Sequence, residues 1–378
     1  MPTSLPFEAG AISSVLQSKP KFVPYTDALR VAGALAVVFI HVSGDGAAAI
    51  AKHPTTTWWF CLSVEALSRW AVPIFVMVSG LLLLDPGKEE TPGKFYMKRL
   101  HRLAIPMVFW SLFYLAWRWF YEGERTDPQS TLCSGVGHFN VWAALYQVIS
   151  GSADYHLWFM TMLIGLYLCT PLLRVVVRGL TPRQLWITTI VILALAMADA
   201  VDRANFDSDF TFLFKFCPFI GLFFLGYCLR GVHRGKKMVW IGAAAWIAGS
   251  LISVLSTYFL VYHCATGSWD ADNRLFLETE EFAPGPLISS IGVFTMVAAW
   301  YESSGKELAG KWIQTLSGAS LGIYLAHPLF LSLLYTNDIE YNWHGVFVGA
   351  PLMIVTGFIG AMLLTLIFQR IPYLRKVV

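Results

Sequence analysis

The sequence predicts an all-α, polytopic membrane bundle of about ten transmembrane helices with both termini cytoplasmic, and three observations carry that expectation. The chain has 378 residues, 56% of them hydrophobic and 13% charged, whereas soluble domains carry about 25% charged residues. Its mean hydropathy is positive, and apolar stretches of roughly 20 residues, the length that crosses a ~30 Å hydrocarbon core, recur from residue 28 to residue 369. With the N-terminus inside, all but seven of the 27 Lys and Arg fall on the cytoplasmic side. The exceptions are Lys52, Arg69, Arg118, Arg125, Arg203, Lys215 and Arg274. This is the positive-inside asymmetry, and it fits an even number of spans. The loop 263–283 holds Asp270, Asp272, Glu278, Glu280 and Glu281, which makes the outer surface acidic.

Residues 1–24 lack the apolar core of a signal peptide, and their Pro, Ser and Lys content predicts a loosely ordered cytoplasmic tail. The rest, 25–378, has mostly short loops and is expected to form a single transmembrane domain. The ten spans are predicted at 28–45, 65–84, 103–121, 155–176, 184–202, 211–230, 238–262, 284–301, 313–335 and 345–369.

The first span carries Arg30 and His41, ionisable groups that cost at least a few kcal/mol in hydrocarbon and so mark a protein interior or a wet cavity. At 1.5 Å rise per residue they stand ~16 Å apart, about half of the core. The second runs inward from Glu65 and Arg69. Their i,i+4 spacing lets them satisfy each other, and the sharper reading is that Arg69 stabilises developing negative charge. Ahead of the third span stand Lys98, Arg99, His101 and Arg102. Such a cluster serves topology by itself, but R-x-x-R also sets two guanidinium forks on one helical face, as a phosphate site needs.

The outer connection 122–154 contains an amphipathic stretch, 138–150, too short to span and suited to the interface. The fourth span begins with His156 and Trp158, where an aromatic belt would place a Trp for no chemical reason. The connection 263–283 is long enough to form a lid over a cavity mouth. In the ninth span His327 precedes Pro328, which frees a backbone carbonyl inside the bundle. There is no visible internal repeat, which disfavours a transporter built from inverted halves.

His41 is the leading candidate for chemistry. Asp45 follows it by one turn on the same face, where a carboxylate can fix an imidazole's tautomer and stabilise its cation. The plain alternative is a His hydrogen-bonded to a neighbouring helix. Of the six cysteines, Cys133 and Cys264 fall in outer loops where a disulfide could persist, Cys61 lies near one, and Cys169, Cys217 and Cys228 suit apolar filling of helices.

Taken in order, Arg30-x10-His41, Arg99-x-x-Arg102, Phe75-Val-Met-Val-Ser-Gly80, Tyr155-His-Leu-Trp-Phe159 and Ile323-Tyr-Leu-Ala-His-Pro328 resemble the acyltransferase-3 family of bacterial membrane acyltransferases. The resemblance implies an O-acyltransferase of the bacterial cytoplasmic (inner) membrane. Its donor would be cytoplasmic acyl-CoA, most simply acetyl-CoA, and its acceptor a hydroxyl of an extracytoplasmic or lipid-linked glycan, as in exopolysaccharide biosynthesis. It also implies that His41 is the catalytic histidine and that Arg30, Arg99 and Arg102 serve the CoA end. The reading of the residues themselves adds Asp45, Arg69 and His327 as candidates beside His41, Lys98 beside the arginines, and Glu65, His156, Trp158 and Tyr324 as candidates for the acceptor's position.

Expected partners are acyl-CoA, the glycan acceptor, membrane lipid and glycan-assembly proteins, with no nucleic acid. Some family members carry a further hydrolase-like domain, which is not expected here. His41 could act as base in a direct transfer or accept the acyl group first, and direct transfer needs only one step. The competing reading is a proton-coupled transporter or exporter of a glycan or glycolipid. A non-catalytic bundle, tolerant of replacement at these residues, is the third.

Overall fold

A computed structural model describes residues 23, 25–48, 54–85, 90–123, 132, 139–206, 214–230, 232, 235–266, 281–304 and 310–378. Among them there is no β-strand. Among the described residues twelve α-helices run in the order α1 Tyr25–Ala48, α2 Thr56–Ser68, α3 Ala71–Leu83, α4 Pro92–Phe120, α5 Val141–Ser150, α6 Trp158–Gly179, α7 Pro182–Phe206, α8 Ile220–Leu229, α9 Lys236–Ala265, α10 Pro284–Ser304, α11 Lys311–Tyr335 and α12 Val346–Arg370.

Eight stretches among the described residues are long and apolar enough to cross a membrane: α1, α2 with α3, α4, α6, Pro182–Ala200 of α7, Lys236–Leu260 of α9, α11 and α12. The polytopic helical bundle is therefore as expected, and two of the ten expected spans fall outside these eight stretches. Among the described residues of the expected span 211–230, the α-helix is the 10 residues of α8, about 15 Å of rise, half a hydrocarbon core. The helix α10 is 21 residues long but buries Gly285, Ser289, Ser290, Gly292 and Thr295, so its apolarity falls below that of the eight.

The second expected span is two helices. Pro73 has no N–H to give the carbonyl of Arg69 four residues back, so the ladder breaks at Arg69 and Trp70 between α2 and α3. Beyond the break, α3 and α8 approach until their backbones touch. A Cβ at Gly80 would lie 1.8 Å from the Phe223 carbonyl oxygen, and one at Gly226 would lie 1.9 Å from that of Met77. Between α9 and α10 the same closeness is held by Gly249 and Gly292, as small residues permit between membrane helices.

The amphipathic α5 starts where the Asn140 side chain accepts the Ala143 N–H and stops at Gly151, whose φ of 74° is left-handed. It turns Trp142, Tyr146 and Ile149 outward and buries Ala144 and Gln147, the build of an interfacial helix. The Cys133 position and the Cys264 side chain lie outside the described residues. Cys61, Cys169, Cys217 and Cys228 are free thiols. At the centre stands α1, packed against α2, α3, α10, α11 and α12, with Thr26, Asp27 and Ser43 buried.

Candidate active site

Eleven residues turn an α-helix through three turns and ~20° more, so Arg30 and His41 lie on nearly one face of α1 at different depths. At the shallow end, Arg30, Arg99 and Arg102 line a cavity of about 240 Å3 together with Ser79, Tyr167, Ser317, Ser320 and Tyr324. The remaining wall is apolar, with Phe75, Leu82, Leu83, Leu103, Phe159, Leu163 and Leu321. Arg30 is held 3.6 Å from Asp27, and Asp27 in turn accepts a 2.6 Å hydrogen bond from Ser317 Oγ. One carboxylate against three guanidinium groups leaves this mouth strongly cationic. Lys98 is exposed and does not line it.

A second cavity, about 570 Å3, is lined by Tyr114, Arg118, Glu122, Ser152, Asp154, Tyr155, Pro328, Leu331, Ser332, Tyr335 and Thr336. It lies at the other end of the same helices: α4 gives Arg102 to one cavity and Arg118 to the other, ~24 Å further along the axis. Arg118 donates to Gln147 Oε1 at 3.1 Å and to the Ala153 carbonyl at 2.8 Å, tying the 151–157 connection to α4. Ser332 donates to Glu122 and accepts from Trp117 Nε1.

Between the cavities three histidines meet. The His41 ring lies 5.1 Å from that of His327 and 4.7 Å from Tyr155, and the His156 ring lies 5.6 Å from His327. His156 and His327 are buried. Asp154 Oδ1 stands 2.8 Å from His156 Nδ1, and the Tyr324 hydroxyl donates to the His156 carbonyl. His327 gives Nδ1–H to the Tyr324 carbonyl at 2.7 Å, the carbonyl left free because Pro328 has no N–H. In both rings Nε2 is buried without a partner among the described residues. Leaving such an atom bare costs about 1–3 kcal/mol, which a purely structural core would avoid. His41 is half-buried and makes no hydrogen bond among the described residues.

The structure thus brings His41, His156, His327 and Tyr324 together, and Arg30, Arg99 and Arg102 together. It does not join Asp45 to His41. Asp45 is exposed, and no hydrogen bond links the two among the described residues. At this turn of α1 Gly46 and Ala47 stay buried while Asp45 turns outward, and the carboxylate that does hold an imidazole belongs to Asp154. Arg69 donates to Glu65, the mutual satisfaction their spacing allows. Trp158 is partly buried and packs its ring against Phe159 and Phe219 rather than against a histidine. Asp154 and Asp27 are the groups sequence reasoning missed; the i,i+3 spacing to Arg30 was a visible signal for Asp27, and Asp-x-His in a connection was a faint one for Asp154.

A family model described as an acyltransferase domain matches residues 23–370, nearly the whole chain. No curated protein and no solved structure matches it.

Proposed function

The chain belongs to the acyltransferase-3 family and is a multi-pass membrane acyltransferase, and from that premise we propose that it moves an acyl group, acetyl first of all, from cytoplasmic acyl-CoA to a hydroxyl of an extracytoplasmic or lipid-linked glycan. The observation that carries the reading is the position of His41, with His156 and His327, between an arginine-rimmed cavity and a larger polar one.

The donor fits the first cavity in pieces. Pockets for whole drug-sized ligands measure about 300–1,000 Å3, so 240 Å3 suits a thin pantetheine arm and leaves the nucleotide phosphates at the mouth. There Arg30, Arg99 and Arg102 offer the bidentate donors that phosphate oxygens take best. Polyanionic phosphates stay out of hydrocarbon, and the arm brings the thioester up the apolar wall towards His41. The acceptor hydroxyl enters from the 570 Å3 side, where Ser152, Ser332 and Thr336 offer hydrogen bonds and Tyr155 and Tyr335 offer ring faces. His41 then receives either the hydroxyl proton or the acyl group. With Arg30, Arg99 and Arg102 cytoplasmic, both termini are cytoplasmic, in the inner membrane of a bacterium.

The test is acetyl-CoA turnover by purified protein in lipid nanodiscs, followed as free thiol, beside mass analysis of surface glycans from cells with and without the protein. Turnover lost in His41→Ala and a missing acetyl group on one glycan are expected. Thiol release and glycan acetylation that both survive His41→Ala would refute the reading.

A further inference from the structure

Of the three clustered histidines, two have their tautomers set by the surrounding protein. A carboxylate and a carbonyl only accept, so Asp154 and the Tyr324 carbonyl fix the proton on Nδ1 of His156 and of His327. Each then presents a bare Nε2 lone pair to buried space. Two lone pairs cannot satisfy each other, so the site is built to receive a donor, and a hydroxyl is one. His156 differs from His327 in its partner: a carboxylate stabilises the imidazolium that forms when Nε2 takes a proton, and a carbonyl does so less. Asp154 also lines the 570 Å3 cavity through which a hydroxyl would come. His41, by contrast, has both ring nitrogens uncommitted among the described residues, which leaves one to bond carbon and the other to release a proton.

We infer that His156, positioned by Asp154, takes the acceptor hydroxyl's proton, and that His41 carries the acyl group between donor and acceptor. This rests on the acyl-transfer reading above and divides its chemistry in two. First, a nitrogen of His41 bonds to the thioester carbonyl carbon. The C–S bond breaks with its electron pair going to sulfur, and the proton on the other His41 nitrogen neutralises that sulfur. Second, the acceptor oxygen bonds to the same carbon while its proton goes to His156 Nε2. The C–N bond breaks with its pair returning to His41, and His156 passes the proton to the other His41 nitrogen, the one that gave its proton to sulfur. Both imidazoles end as they began. Asp154 touches no substrate in this scheme and acts only through His156.

The experiment loads purified protein with acetyl-CoA, removes excess donor, and follows the acetyl group on His41 by intact-mass spectrometry before and after adding methyl glucoside. Wild type and Asp154→Asn should load equally, since the first half does not use the dyad. Methyl glucoside should discharge the wild type and should discharge Asp154→Asn at least about 100-fold more slowly, the scale of a lost general base. Asp154→Glu should recover part of the rate, and equal loading shows that the variants are folded. A wild-type label that is never formed or never discharged, or an Asp154→Asn label discharged at the wild-type rate, overturns the inference. Failure of wild-type protein to release any thiol from acetyl-CoA would instead fell the acyl-transfer reading itself.

Discussion

The ring of His327 is fastened to the carbonyl of Tyr324 at 2.7 Å, because the residue after it, Pro328, cannot make the helical bond that this carbonyl would otherwise accept. The proline therefore does for the imidazole what a carboxylate does elsewhere: it provides an acceptor that holds one ring nitrogen and frees the other. Pro328→Ala restores an N–H that competes for the carbonyl. We expect unchanged or slightly raised thermal stability in detergent, because a helical hydrogen bond is regained, together with about a tenfold loss of turnover as His327 loses its hold.

Arg102→Ala should act on donor binding rather than on chemistry. A charge-assisted hydrogen bond contributes about 1.5–3 kcal/mol, so the acetyl-CoA concentration for half-maximal rate should rise roughly 10- to 100-fold with the saturated rate little changed. Titration of the donor at two salt concentrations checks this, and an unchanged dependence on acetyl-CoA would remove Arg102 from the phosphate site.

Glu65 and Arg69 form a pair in which the carboxylate is almost fully buried and the guanidinium is about a quarter exposed. Breaking a buried pair from one side costs about 3–5 kcal/mol, and the partial exposure of Arg69 sets the expectation at or below the low end. Glu65→Ala should lower the unfolding temperature clearly, while Glu65→Leu combined with Arg69→Met should recover most of the loss. Thermal unfolding in detergent, with all three variants side by side, decides it.

Asp45→Asn should leave turnover within about twofold of wild type, since its carboxylate is exposed and holds no imidazole. Comparison of steady-state thiol release with that of His41→Ala is sufficient, and a loss of the same order would place Asp45 back beside His41.

Gly80→Ala should fail to yield folded protein. Its Cβ would stand 1.8 Å from a backbone oxygen of Phe223, and backbone cannot rotate away as a side chain would. Gly318→Ala, with nothing within 4 Å of the added carbon, serves as the control. Size-exclusion profiles of the two variants make the comparison.

The apolar runs and the distribution of Lys and Arg decide by themselves that this chain is a helical membrane bundle, because span length and charge are properties of the chain read in one dimension. The same holds for the separation of Arg30 from His41, which helical rise alone sets, and for the carbonyl that Pro328 sets free. The partner of each imidazole was not legible in that way. Periodicity pointed to Asp45 for His41, yet the carboxylate that engages an imidazole is Asp154 on a connection between helices, and it engages His156. The close approach of α3 to α8 at Gly80 and Gly226 likewise depends on which backbone lies alongside. Hydrogen bonds reach about 3 Å, so they are decided by which segments the tertiary fold brings within that distance, and sequence spacing fixes this only inside a single helix.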